Sequence, residues 1–182
     1  CFRAEPASGL AGRSLDCPRG RLLGGSSSIN GMVWVRGNPA DFDRWQSLGA
    51  KDWDYAHCLP YFKRAERVSA EGTSDAFRGR RGPVVVSRGT MQNPLFAAFL
   101  DAAAEAGHAR SDDLNGEFQE GFGALEMSID AGVRCSTARA YLEPARDRPN
   151  LSVMTGATVC GVDLAGDRAV GVHYRSGTTL AH

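Results

Sequence analysis

The sequence predicts an α+β fold. Two helix starts carry the same Asn-Pro device, one near residue 38 and one near residue 93. A β-branched run follows at Val84-Val85-Val86, and short β-rich segments close the chain. Helices and strands come in mixed order, without the regular βαβα alternation of a doubly wound parallel sheet. At 182 residues, with 42% apolar and 23% charged content, the chain has the makeup of a globular protein.

The elements follow from local punctuation. Asn38-Pro39 supplies a cap and a first-turn proline. Phe42, Trp45 and Leu48 then recur at helical spacing until Gly49. Pro60 is expected to start a second helix, carrying Tyr61, Phe62 and Ala65. Residues 69–82 are polar, glycine-rich and arginine-bearing, and read as a loop. Pro83 to Ser87 reads as a strand. Asn93-Pro94 opens a helix whose stripe of Leu95, Phe96, Phe99, Leu100 and Ala103 is expected to pack in the core, with Gly107 as its stop. Asp112 to Gly123 is rich in turns. Ser136 is expected to cap a helix through Tyr141 and Leu142, limited by Pro144. Leu151 to Met154, Thr158 to Leu164 and Ala169 to Tyr174 read as strands, the last pair turned at Gly166-Asp167. No internal repeat appears.

Function concentrates in Gly20-Arg21-Leu22-Leu23-Gly24-Gly25-Ser26-Ser27-Ser28-Ile29-Asn30. Adjacent glycines let main chain approach a ligand closely and visit positive φ. Amides, hydroxyls and the Asn30 side chain add hydrogen-bonding groups for a flat or phosphorylated ligand. On composition alone, a polar surface loop explains the stretch equally well. The sequel Gly31-Met32-Val33-Trp34-Val35 is apolar, however, and a flexible linker would stay polar. The loop has neither the Gly-Lys-Ser/Thr ending of a P-loop nor a G-x-G-x-x-G fingerprint. It reads as a loop that supplements a nucleotide-binding motif elsewhere.

The string from Gly20 to Asp43 resembles the first signature of the glucose–methanol–choline (GMC) flavoprotein oxidoreductases. Gly-Arg, Leu23, Gly-Gly-Ser-Ser, Ile-Asn, Trp34, Gly37 and Asp43 stand at the expected offsets. Cys17-Pro18-Arg19-Gly20, Leu59-Pro60-Tyr61-Phe62, Asp113-Leu114-Asn115-Gly116 and Arg148-Pro149-Asn150-Leu151 are similar to the choline-dehydrogenase-like branch. The resemblance implies a partial FAD-binding domain interleaved with part of a substrate-binding domain. Residues 1–35 would be the cofactor-loop segment and 36–81 a helical linking segment. Residues 82–134 would belong to the substrate domain, and 135–182 would return to the FAD domain. The family's opening βαβ unit and its C-terminal catalytic histidine have no counterpart here. The resemblance therefore implies an internal piece of a longer protein, inactive alone.

The resemblance also implies the site. Leu22 corresponds to a backbone contact with the flavin or its ribityl-phosphate. Gly24, Gly25, Ser26 and Ser27 correspond to the loop around the cofactor. Asn30, Gly31, Met32 and Val33 correspond to the segment along the isoalloxazine ring, and Val159 to the strand residue that pairs with adenine. Amides near the pyrimidine end of the ring stabilise its negative charge when reduced. Some members attach FAD through a histidine where this chain has Ile29, so the cofactor is expected to be non-covalent FAD. No catalytic residue is assigned. The implied reaction is oxidation of a small alcohol by hydride transfer to flavin N5. An oxidase or hydroxynitrile-lyase-type enzyme on the same scaffold, or a non-catalytic phosphate- or peptide-binding module, remain open.

The rest of the composition narrows the partners. Lysine plus arginine equals aspartate plus glutamate at 21 each, which argues against nucleic acid or an anionic membrane. No apolar run approaches the ~20 residues of a membrane-spanning helix. The expected location is cytoplasmic, with peripheral membrane association open for a longer protein. Five scattered cysteines (1, 17, 58, 135 and 160) imply neither a disulfide framework nor a metal site. His57, His108, His173 and His182 lack ligand spacing, and none reads as a catalytic base. Trp34, Trp45 and Trp53 read as packing residues.

Overall fold

The computed structural model describes residues 2–177 and 179–181, and divides into two compact units, residues 1–144 and 145–182. The first unit begins with a short antiparallel pair, β1 (Phe2–Arg3) and β2 (Asp16–Cys17). It then runs through the glycine-serine bend into helices α1 (Pro39–Ser47) and α2 (Tyr55–Ala65). Its central sheet has the order β3 (Glu66–Val68), β4 (Val84–Arg88), β5 (Glu126–Met127). β3 and β4 are parallel, with Glu66 opposite Val84 and Val68 opposite Val86. β5 joins antiparallel, with Ser87 opposite Met127. Helix α3 (Pro94–Glu105) and the small ribbon β6 (Ile129–Asp130) and β7 (Val133–Arg134) complete the framework.

Both Asn-Pro devices work as expected. Asn38 Oδ1 accepts from the Ala40 amide at 2.9 Å, and Asn93 Oδ1 from the Leu95 amide at 3.0 Å, each with proline in the first turn. Phe42 is the buried residue of α1. It meets Trp45 and Phe62 edge-on, with ring centroids 5.1 and 5.4 Å apart. Beneath the sheet, Val68, Val84, Val86, Cys135 and Ala140 form the core, with Trp34 and Val85 packed against it.

Four expectations are corrected. The second helix starts at Tyr55, and Pro60 lies inside it. Asp54 caps it by accepting from the His57 amide at 2.8 Å, and the packing of Tyr55 and Phe62 against Phe42 holds the turn that proline disfavours. The segment after Ser136 is a π-helix, Ala138–Leu142, followed by one turn at Glu143–Ala145 that includes Pro144. Residues 151–154 form no strand. Leu151 N–H turns back to Arg148 O instead, and β8 pairs only with β9 among the described residues. The α3 stripe is not core. Leu95 is 73% and Phe99 58% exposed, and Ala103 is the one buried residue of the helix.

The second unit is a long hairpin. β8 (Ala157–Ala165) and β9 (Arg168–Ser176) pair antiparallel around the Gly166-Asp167 turn, and β10 (Thr179–Ala181) adds to β9. Val159 stands opposite Tyr174 in this ribbon, and its side chain is exposed. The α+β mixture lies in the first unit, and the elements of the second are strands.

Candidate functional site

The glycine-serine stretch folds into a compact bend. Gly24 and Gly25 have φ of 87° and 54°, the left-handed region where a Cβ is costly. They feed a 3-10 turn over Gly25–Ser28. The bend is closed from within: Gly25 N–H donates to Leu22 O at 2.9 Å, Ser28 Oγ to Leu23 O at 2.9 Å, and Asn30 N–H to Ser26 O at 2.9 Å. Gly20 N–H donates to Ser26 Oγ at 3.1 Å. A Cβ on Gly20 would lie 2.2 Å from Gly25 O, so the lead-in strand presses on the bend at backbone distance.

A distant segment holds the same bend. Thr137 N–H donates to Ser27 Oγ at 3.0 Å, and Thr137 Oγ1 donates to Gly24 O at 3.2 Å. Arg134 Nη1 donates to Ser27 O at 3.2 Å, and to Asn30 O and Oδ1 at 2.8 Å each. Asn30 Oδ1 also accepts from the Met32 amide at 3.1 Å. Met32 takes φ of 64° and accepts from Ser128 N–H at 2.8 Å, and Val33 bridges to Met127. Residues 30–33 are thereby anchored to the rim of the central sheet.

The serine hydroxyls were expected to serve a ligand. In the structure Ser27 Oγ and Ser28 Oγ donate within the loop, and Ser26 Oγ accepts from Gly20 N–H. What the bend offers outward is main chain and apolar surface. A Cβ on Gly25 or Gly31 would meet nothing within 4 Å, and Leu22, Ile29 and Val33 are exposed beside them. Side-chain-free backbone flanked by apolar groups suits a flat ring. Leu22, Gly24, Gly25, Ser26, Ser27, Asn30, Gly31, Met32 and Val33 come together in the first unit, whereas Val159 lies in the second.

Behind the bend sits a buried charged network. Glu66 is fully buried. Its Oε1 accepts from Arg36 Nη2 at 2.7 Å, Arg78 Nε at 2.9 Å and the Gly79 amide at 2.9 Å. Its Oε2 accepts from Trp34 Nε1 at 2.8 Å. Arg78 continues to Glu126 Oε2 at 2.7 Å and to Asp113. Asn115 ties Arg36 N–H to the same Glu126. Burial alone pushes the Glu66 carboxyl up. The hydrogen bonds from Arg78 and Gly79 and the charges of Arg36 and Arg78 outweigh it and hold Glu66 below the ordinary carboxylate range. Burial likewise works against the Arg78 charge, and the bonds to Glu66 and Glu126 reverse it, raising its pKa further.

Among the histidines, His57 Nδ1 lies 2.8 Å from Asp54, and the hydrogen bonds from His57 hold the Asp54 carboxyl below its usual range. His173 Nε2 lies 2.6 Å from Asp163. Among the described residues no group of three His, Cys, Asp or Glu side chains is arranged to hold a metal ion. A groove of about 800 Å³ is lined by Asn38, Phe77, Asp113 and Phe118, and by none of residues 20–33.

Sequence reasoning missed Glu66, Arg78 and Glu126 inside, and Arg134 and Thr137 at the bend. Arg134 and Thr137 carried one signal: an arginine and two hydroxyls (Arg134-Cys135-Ser136-Thr137) just ahead of a helix. The buried network carried none, since its hydrogen-bonded pairs are 11 to 79 positions apart.

Residues 7–182 match a family model described as GMC oxidoreductase. The chain is 51% identical over 180 residues to the oxygen-dependent choline dehydrogenase of Brucella ovis, covering 99% of this chain and 32% of that protein. It is 49% identical to the protein of that name from Photobacterium profundum, covering 97% and 31%. The chain thus spans about a third of the length of these curated relatives. Among solved structures, pyridoxine 4-oxidase from Mesorbium loti superposes with a TM-score of 0.88 at 32% identity, covering 99% of this chain and 36% of that one. An FAD-dependent oxidoreductase from Chaetomium thermophilum superposes with a TM-score of 0.90 at 28% identity, covering 100% and 34%.

Proposed function

The chain belongs to the GMC oxidoreductase family, and on that premise we propose that it serves in an FAD-dependent oxidoreductase of the choline-dehydrogenase-like kind. The reaction is oxidation of the CH–OH group of a small alcohol to a carbonyl. The observation that carries this reading is the bend itself. Gly24 and Gly25 take positive φ, and a Cβ on Gly25 would meet nothing within 4 Å, so main chain is open there on a loop that Ser27 and Ser28 tie from within.

FAD, when bound, supplies the hydride acceptor. The residues that hold it are Leu22, Gly24, Gly25, Ser26 and Ser27 around the cofactor, and Asn30, Gly31, Met32 and Val33 along its ring. Val159 takes the adenine end. The open surface at Gly25 and Gly31 and the exposed apolar groups of Leu22, Ile29 and Val33 support this assignment. Ile29 has no nucleophilic nitrogen, so attachment is non-covalent. The Gly24–Val33 segment orients the ring and excludes water from it. We assign no catalytic acid or base to this chain. Residues 1–35 and 135–182 are read as FAD domain, 36–81 as a linking segment and 82–134 as substrate domain.

The protein's partner is a small alcohol rather than nucleic acid, consistent with its zero net charge. Among the described residues no helix is long and apolar enough to cross a membrane, and we read the protein as cytoplasmic.

The test is anaerobic spectroscopy of the full-length protein. A flavin absorption band that bleaches on addition of an alcohol is the expected result. A protein that purifies without flavin and binds none on titration contradicts the reading. Oxygen uptake during turnover then separates an oxidase from a dehydrogenase that needs another acceptor.

A further inference from the structure

We propose that Arg134 and Thr137 are positioning residues that clamp the cofactor loop in its binding shape and fix the orientation of the Asn30 amide. The inference rests on the FAD reading above, and assigns roles to residues outside the loop itself.

Three observations carry it. First, the clamp grips both ends of the bend from 104 to 113 positions downstream: Thr137 holds Gly24 O and Ser27 Oγ, while Arg134 holds Ser27 O and Asn30 O. Carbonyls at the end of a short helical turn lack onward partners, and a guanidinium satisfies them. Second, Asn30 Oδ1 faces two donors at once, Arg134 Nη1 and the Met32 amide. The flipped amide would put an NH₂ group against both, so only one orientation is compatible with the network. Among the described residues Nδ2 then carries no hydrogen bond, and Asn30 is exposed, so the clamp presents a free N–H donor on the open side of the loop. Third, among the described residues Arg134 has no carboxylate within ion-pair reach, and all its acceptors are neutral oxygens. Its charge is uncompensated beside a loop read as holding an anionic cofactor.

The separation of the two segments matters to the physics. A glycine-rich bend costs conformational entropy to order. A clamp from an element anchored in the core, next to buried Cys135 and Ala140, meets that cost before the ligand arrives.

The test uses the full-length protein stripped of flavin and titrated with FAD, following quenching of flavin fluorescence. Arg134→Met removes the donors and the charge, and Thr137→Val removes the hydroxyl at nearly constant shape. Each is expected to raise the Kd for FAD about tenfold, the loss of one charge-assisted or two neutral hydrogen bonds' worth of ordering. Arg134→Lys, which keeps the charge and one donor, is expected to recover part of the loss. A purely structural role would lower the unfolding midpoint of the flavin-free protein and leave Kd alone. Kd values for Arg134→Met and Thr137→Val within twofold of wild type overturn the clamp. Where Arg134→Met does not fold, Arg134→Lys carries the decision: a Kd equal to wild type overturns the proposal. Wild-type protein that binds no FAD overturns the functional reading, and the clamp's cofactor role with it.

Discussion

Glu66 gathers hydrogen bonds from four residues inside the first unit. One carboxylate takes hydrogen bonds from Arg36, Arg78, Trp34 and the Gly79 amide in a site closed to water. A buried ion pair adds little net stability over an apolar replacement, but removing one partner leaves buried charge uncompensated. Glu66→Gln keeps the shape, leaves buried Arg36 with no carboxylate partner among the described residues and leaves Arg78 with Glu126 and Asp113, so it should destabilise the fold by about 3–5 kcal/mol at neutral pH, measured by denaturant unfolding. The pH dependence has a definite sign. The folded pKa of Glu66 lies below the ordinary value of 4.5, so its stabilisation is complete above 4.5 and is lost as pH falls through the lower folded value. Stability of Glu66→Gln should therefore fall less steeply with acidification below pH 4.5 than that of wild type. Parallel slopes would show that Glu66 is not the titrating group. None of this was legible in sequence, which gives Glu66 no motif or periodicity to mark it. Burial here comes from two strands and three loops that meet only in three dimensions.

Elements were most legible where chemistry is local. Asn-Pro fixes a cap and a first turn within three residues, and α1 and α3 begin where those signals stand. Asn38→Ala should cost about 1 kcal/mol, read as a fall in the denaturation midpoint at unchanged slope. Pro60 misled for the same reason that Asn-Pro helped. Proline after a leucine looks like a start, whereas Asp54 had already capped the helix and aromatic contacts carried it through. Pro60→Ala restores the amide that faces Ala56 O and should stabilise the first unit by about 1–3 kcal/mol. A lowered midpoint would mean that proline shapes the helix productively. The stripe on α3 was legible as amphipathic but not as uncovered, because periodicity identifies an apolar face without saying what lies against it. Residues 151–154 had strand composition and pair with no strand among the described residues.

At the scale of the whole molecule, the site was legible as a string and its shape was not. Gly24, Gly25 and Asn30 stand out in sequence, yet the contacts that shape them come from Arg134 and Thr137. Likewise, the serines stand out as hydrogen-bonding groups, but the bonds that Ser27 and Ser28 make inside the bend do not. The role of Ile29 is a prediction at this scale: acid precipitation of the full-length holoprotein should release all its flavin into the supernatant, and colour retained in the pellet would mean a covalent link at another residue. The central claim is that main chain at Gly24 and Gly25 lies against FAD. Hydrogen–deuterium exchange of the full-length protein with and without FAD tests it most directly. Slowed exchange of the amides from Gly24 to Val33 on FAD binding is the expected result, and exchange there unchanged while FAD is demonstrably bound would contradict it.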